Sequence, residues 1–134
     1  MTHFRATEAA ALLGVSDDTV RRWIDGGRLP AVRDGSGRWS VLGRDLAEFA
    51  RENAAAPEVE GARASSAANR LPGLVTRVVR DGLLAEVEIQ AGPFRILSTM
   101  SRAVADDLGL EPGVLAVAAV TSTDVIVETP RTGR

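Results

Sequence analysis

The sequence predicts an α+β chain of two small domains: a mainly helical first domain and a five-stranded barrel with one short helix as the second. Three observations carry this. Residues 6–52 show helical spacing of apolar residues with capping signals. Residues 53–68, "NAAAPEVEGARASSAA", hold almost no large apolar side chain and cannot build a core. From 71 to 128 the chain turns to short Val-, Ile- and Leu-rich runs broken by "DG", "GP" and "EPG". The expected division is therefore a first domain at 1–52, a linker at 53–68 and a second domain at 69–134.

In the first domain, Thr7 is a candidate cap for a helix over "EAAALLG", with Gly14 as its left-handed stop. Ser16 caps the next helix, and Asp17 and Asp18 sit in its first turn, facing the positive end of the helix dipole. Val20, Trp23 and Ile24 recur at i, i+3, i+4 and share a buried face, while Arg21 and Arg22 point elsewhere. "DGG" at 25–27 ends that helix. Two short helices around a tight turn make a helix-turn-helix, whose second helix fits the major groove. "LPAVRDGSGRWSV" then reads as a hairpin with Arg33 and Arg38 bracketing its tip. Such a wing reaches backbone or minor groove. Trp39 is assigned to wing packing rather than to base stacking. "GRDLAEFAREN" closes the domain as a helix with Leu46 and Phe49 or Ala50 inward.

In the second domain, "LPGLVTRVVRDGLLAEVEIQ" reads as two strands around Asp81-Gly82. Leu83, Ala85, Val87 and Ile89 alternate with Leu84, Glu86, Glu88 and Gln90, giving one buried and one wet face. "PFRILSTM" is a third strand. "SRAVADDLGL" is a short helix capped by Ser101, with Val104 and Leu108 inward and Gly109 as its stop. "GVLAVAAV", apolar enough to be buried, and "DVIVE" complete five strands, a small OB-like barrel.

Composition narrows the function. The 134 residues carry a net charge of −2, no cysteine and one histidine, so thiolate or histidine-cluster metal sites are not expected. No apolar run suits a signal peptide or a membrane span, and a cytoplasmic protein is expected. All sixteen basic residues are arginine. Eight lie in 1–52 against eight acids, and eight in 53–134 against ten. Only 21–38 is locally basic, with five arginines against Asp25 and Asp34, so any nucleic-acid footprint is one patch. No nucleophile–base pair or phosphate-cradling "GxxxxGK" is present, and an enzyme is not expected.

Arginines on a surface helix fit a protein-binding module as well as a DNA-binding one. The agreement of turn, wing and arginine placement favours DNA. The span "TEAAALLGVSDDTVRRWIDGGRLPAVRDGSGRWSVLGRDLAEF" resembles the winged helix-turn-helix of the excisionase and MerR-like group. That resemblance implies double-stranded DNA as partner, with Arg21, Arg22, Arg33 and Arg38 as contacts and Ser16 and Thr19 as secondary ones.

The pieces "SAANRLPGLVTRVV", "AEVEIQ", "MSRAVADDLGLEPG" and "VLAVAAVTSTDVIVE" resemble the Mop domain, also called TOBE or molbindin. The resemblance implies binding of molybdate or tungstate as an oxyanion, with no metal cation. It places the site at Ser66, Asn69 and Arg70 in the opening segment, Ser101 and Arg102 at the short helix, and Thr121 and Ser122 in a late strand. Hydroxyls and backbone N–H groups at a helix start suit a tetrahedral anion. Three positions depart from the family pattern: Ala68 replaces an arginine, Thr121 a lysine and Val104 a serine. The two lost cations weaken the case for an anion.

A winged helix joined to a Mop domain is similar to the molybdate-responsive regulators of the ModE type, which typically carry two Mop copies where this chain has one. The reading is a molybdate-sensing DNA-binding regulator that assembles as a homo-oligomer, dimer or hexamer, without a membrane. The alternatives are a molybdate storage oligomer and a DNA-binding protein whose barrel serves only assembly.

Overall fold

The computed structural model describes residues 2–53 and 65–130, which form two compact units. Most of the predicted linker, residues 54–64, lies outside the described residues.

The first unit runs β1 (His3–Arg5), α1 (Ala6–Leu13), α2 (Asp17–Asp25), β2 (Val32–Arg33), β3 (Trp39–Leu42) and α3 (Gly43–Asn53). Gly14, at φ 70°, closes α1 in the left-handed region, where a Cβ would be strained. Ser16 caps α2 as the sequence predicts: its Oγ accepts from the Thr19 N–H at 3.2 Å. Thr7 does not cap α1. The helix starts two residues earlier than expected, at Ala6, and the Glu8 carboxylate accepts the Arg5 N–H at 2.9 Å. An acid three residues into the helix satisfies the orphan amide there, and the chain enters from a strand.

That strand, β1, is an addition to the sequence reading. It pairs antiparallel with β3, Arg5 opposite Ser40, and β3 pairs with β2, so the wing is one side of a three-stranded sheet. Val20, Leu29 and Val41 are fully buried with Ala9, Leu46 and Phe49 around them. Trp23 is half-buried and packs on Phe49 with ring centroids 4.8 Å apart. Arg28, one of the five arginines of the basic span, closes over both rings and donates to Asn53 Oδ1 at 3.0 Å. It therefore belongs to the rim of the core.

The second unit runs β4 (Asn69–Asp81), β5 (Leu84–Ala91), β6 (Phe94–Ser101), α4 (Arg102–Asp107) and β7 (Leu115–Val120), followed by a single 3-10 turn at Ser122–Asp124. The sheet order is β6-β5-β4-β7, antiparallel throughout. The long β4 changes partners along its length. Asn69–Leu74 pairs with β7, and Leu74–Asp81 pairs with β5 across a bulge between Val75 and Arg77. Gly73 permits this: a Cβ there would lie 2.5 Å from the Gln90 carbonyl oxygen.

The alternation read for β5 holds from Ala85 onward, since Ala85, Val87, Ile89 and Ala91 are buried. Leu83 departs from it, because it sits in the turn and is exposed. The inward residues near α4 are Ala105 and Leu110, while Val104 and Leu108 are exposed. A helix of only six residues rests one small side chain on the sheet, and the chain past Gly109 brings Leu110 back beneath it. Arg80 holds this corner, with Nε to Asp106 Oδ1 at 3.0 Å and Nη2 to Glu111 Oε1 at 2.9 Å.

Two expected strands also differ. β7 is half-buried, with Leu115 and Ala119 exposed, because one face of the sheet is open. The run read as the fifth strand does not join the sheet: Val125, Ile126 and Val127 are exposed, the last two more than 80%.

Candidate functional site

In the first unit, α2 presents its polar face beside the wing. Ser16 Oγ and Thr19 Oγ1 lie 2.9 Å apart, and Arg22 Nη2 donates to Thr19 Oγ1 at 3.4 Å. Ser16, Thr19 and Arg22 thus form one hydrogen-bonded line at the start of the helix, with Ser16 already occupied as its cap. Arg21 makes only a 4.0 Å contact to Asp18 and stays exposed. It faces a different region, a cleft of about 670 Å³ lined by Arg5, Arg21, Asp25, Arg33, Arg38 and Trp39, with the start of α1.

The hairpin tip that carries Arg33 and Arg38 is internally braced. Asp34 Oδ1 accepts from the Ser36 N–H at 2.8 Å, the Ser36 hydroxyl at 2.7 Å and the Arg38 N–H at 3.1 Å. The Ser36 hydroxyl chiefly, then the Arg38 and Ser36 amides, hold the Asp34 carboxyl below its ordinary value. Arg33 Nη1 donates to the Gly37 carbonyl at 2.7 Å, and its guanidinium lies 4.1 Å over the Trp39 ring. Trp39 is thus part of the wing's own packing. The structure brings Arg21, Arg33 and Arg38 to one cleft and leaves Ser16, Thr19 and Arg22 outside it. It adds Arg5, whose place the sequence hides because β1 is only three residues long.

In the second unit the seven candidate anion residues fall into two groups. Asn69 and Arg70 open β4 opposite Val120 and Ala119, and Asn69 Nδ2 donates to the Val120 carbonyl at 3.2 Å. Thr121 and Ser122 follow directly, and Ser66 precedes β4, so these five share one end of the sheet. Ser101 pairs with Leu84, beside Asp81, at the opposite end of β4. The two ends are separated by twelve steps of strand, roughly 40 Å of contour. Within one protomer, Ser101 and Arg102 do not meet the other five.

Several donors are already engaged. Ser101 Oγ accepts the Val104 N–H at 3.2 Å, the Arg102 N–H goes to the Leu83 carbonyl at 2.8 Å, and Thr121 Oγ1 donates to Asp124 Oδ2 at 2.7 Å. Among the described residues there is no cluster of three or more His, Asp or Glu side chains placed to hold a metal ion, and no helix long and apolar enough to cross a membrane.

Comparison with known proteins follows the same division. Residues 4–54 match the family model of the helix-turn-helix domain, and residues 65–127 that of the TOBE domain. Neither family is enzymatic. Among solved structures, MopII from Clostridium pasteurianum aligns at 34% identity over 49% of this chain and 100% of that one, with a TM-score of 0.47. A molybdate-binding protein from Sporomusa ovata aligns at 22% identity over 50% of this chain and 100% of that one, with a TM-score of 0.48. The cytoplasmic molybdate-binding protein ModG aligns at 30% identity, covering 56% of this chain and 53% of that chain, with a TM-score of 0.49. No curated protein matches. The chain thus joins a helix-turn-helix domain to a TOBE domain.

Proposed function

We propose that the chain is a DNA-binding transcription regulator that responds to molybdate or tungstate in the cytoplasm and works as a homo-oligomer. The observation that carries this reading is the presence, in one chain, of a helix-turn-helix whose wing and second helix enclose an arginine-lined cleft and of a TOBE domain with hydroxyl and amide groups gathered at one end of its sheet. Arg21 and Arg22 read base edges from α2, and Arg38 holds the backbone from the wing.

The anion site lies between copies. Ser66, Asn69, Arg70, Thr121 and Ser122 come from one copy, and Ser101 and Arg102 from another. Their separation within the protomer supports a shared site. So does the apolar face of the sheet, where a groove of about 450 Å³ runs beside Ile96, Met100, Leu108 and Val117. Anion binding changes DNA affinity to the extent that it favours one arrangement of the TOBE domains.

A barrel used only for assembly is the second reading. The Thr121–Asp124 hydrogen bond favours it, since it spends a donor and brings a carboxylate beside the site. Calorimetric titration of molybdate, tungstate and sulfate, with and without duplex DNA, separates the two. The sensor reading expects saturable molybdate or tungstate binding that weakens in Ser101→Ala. Absence of heat from every oxyanion leaves the assembly reading.

A further inference from the structure

We infer that the cleft between α2 and the β2–β3 hairpin seats a phosphate of the DNA backbone, and that Arg5 on β1 is the residue that anchors it. This rests on the DNA-binding reading above and adds a contact from an element outside the helix-turn-helix and the wing.

Four arginines, Arg5, Arg21, Arg33 and Arg38, line the cleft against a single carboxylate, Asp25. They are not equivalent. Arg33 is committed to the wing, bonded to the Gly37 carbonyl and stacked on Trp39. Arg5 and Arg38 enter none of the ion pairs found among the described residues. Arg38 follows the tip, where its backbone is fixed by Asp34.

Arg5 is fixed from two sides. Its strand pairs with β3, with Arg5 opposite Ser40, and its amide is held by Glu8 at the start of α1. The guanidinium therefore projects from backbone that is tied to both the wing and the first helix, so that only side-chain freedom is lost on binding. It lies off α2, the element that fits the major groove, and contacts from such flanking positions go mainly to phosphate and set register. A guanidinium carried on fixed backbone suits a phosphate oxygen through parallel N–H donors.

The test uses the salt dependence of binding to a mixed-sequence duplex, followed by fluorescence anisotropy, for the wild-type chain, Arg5→Ala, Arg5→Gln and Arg5→Lys. Each neutralised phosphate contributes about 0.9 to the slope of log affinity against log salt. Arg5→Ala and Arg5→Gln are expected to lower the slope by about 0.9 and to weaken binding evenly across sequences, while Arg5→Lys keeps the slope. Arg5→Gln retains the length and polarity of the side chain, so it reads the lost charge if the alanine variant folds poorly. An unchanged slope in Arg5→Gln overturns this inference and leaves the DNA-binding reading standing. A wild-type chain without affinity for any duplex overturns both.

Discussion

The two units solve the problem of being small in different ways. Within about fifty residues, the first closes its core with Val20, Leu29, Val41, Leu46 and Phe49, and among its described residues it exposes only Leu12 and Val32 of the large apolar side chains. The second, of similar size, buries only Val75, Val87, Ile89 and Leu110 as large side chains among the described residues and exposes twelve there, from Leu74 to Val127. A domain of this size is marginal even when its core is complete, and apolar exposure on this scale marks an interaction surface. The first unit is finished within one chain. In the homo-oligomer proposed above, another copy finishes the second, and the exposed apolar Val125–Val127 run suits the open face of a neighbouring sheet.

The largest expected effect breaks that contrast directly. Light scattering at micromolar concentration should find the wild-type chain as a dimer or larger, and Ile126→Asp combined with Val127→Asp should reduce it to a monomer. A monomeric wild type, with and without molybdate, removes the difference between the units.

Next in size is a core truncation. Both tryptophans, Trp23 and Trp39, lie in the first unit, so tryptophan fluorescence reports that unit alone. Leu29→Ala should lower its stability by about 3 kcal/mol, equally at low and high protein concentration. A transition that moves with concentration would mean that the first unit also depends on assembly.

Gly73→Ala acts on the other side of the comparison. Its Cβ meets backbone that cannot yield, so destabilisation of about 1–3 kcal/mol is expected. It should appear in far-ultraviolet dichroism and leave the tryptophan transition in place. Loss of tryptophan signal in the same variant would show the two units melting as one.

Arg21→Ala or Arg22→Ala should cost about 1–3 kcal/mol of DNA binding if each reads a base edge, measured at moderate salt. The double alanine variant with unchanged affinity would move the interface elsewhere.

The smallest effect is on the wing. Asp34 has a lowered value in the folded chain, so its contribution is complete above the ordinary aspartate value and is lost as pH falls through the lowered one. Acid titration should loosen the hairpin in that range, seen in Trp39 emission, and Asp34→Asn should flatten the response.

Legibility in the sequence tracks how local the deciding interactions are. Ser16, Gly14 and the Val20–Ile24 spacing act within a turn or two of helix, and the helix-turn-helix could be read from them. β1 could not: His3–Arg5 is a strand only because β3, nearly forty residues later, pairs with it. Arg5 therefore carries no local signal, although it lines the same cleft as Arg21. In the second unit the Asp81-Gly82 turn and the β5 alternation were legible, again through local rules. Val104 and Leu108 were misplaced because helical spacing over six residues cannot tell which stripe meets the sheet. Asp124–Glu128 has strand composition without a strand partner in its own protomer. For the anion residues, sequence order alone conceals that Ser101 lies at the far end of β4 from Asn69 and Thr121.

Coupling of an oxyanion to DNA within one chain is tested by the affinity of the assembled protein for a duplex selected by that protein from a random pool, measured with and without molybdate. A change of at least about fivefold is expected, the lower end of ordinary allosteric coupling, reduced in Ser101→Ala. Molybdate that binds in calorimetry yet leaves DNA affinity identical contradicts it.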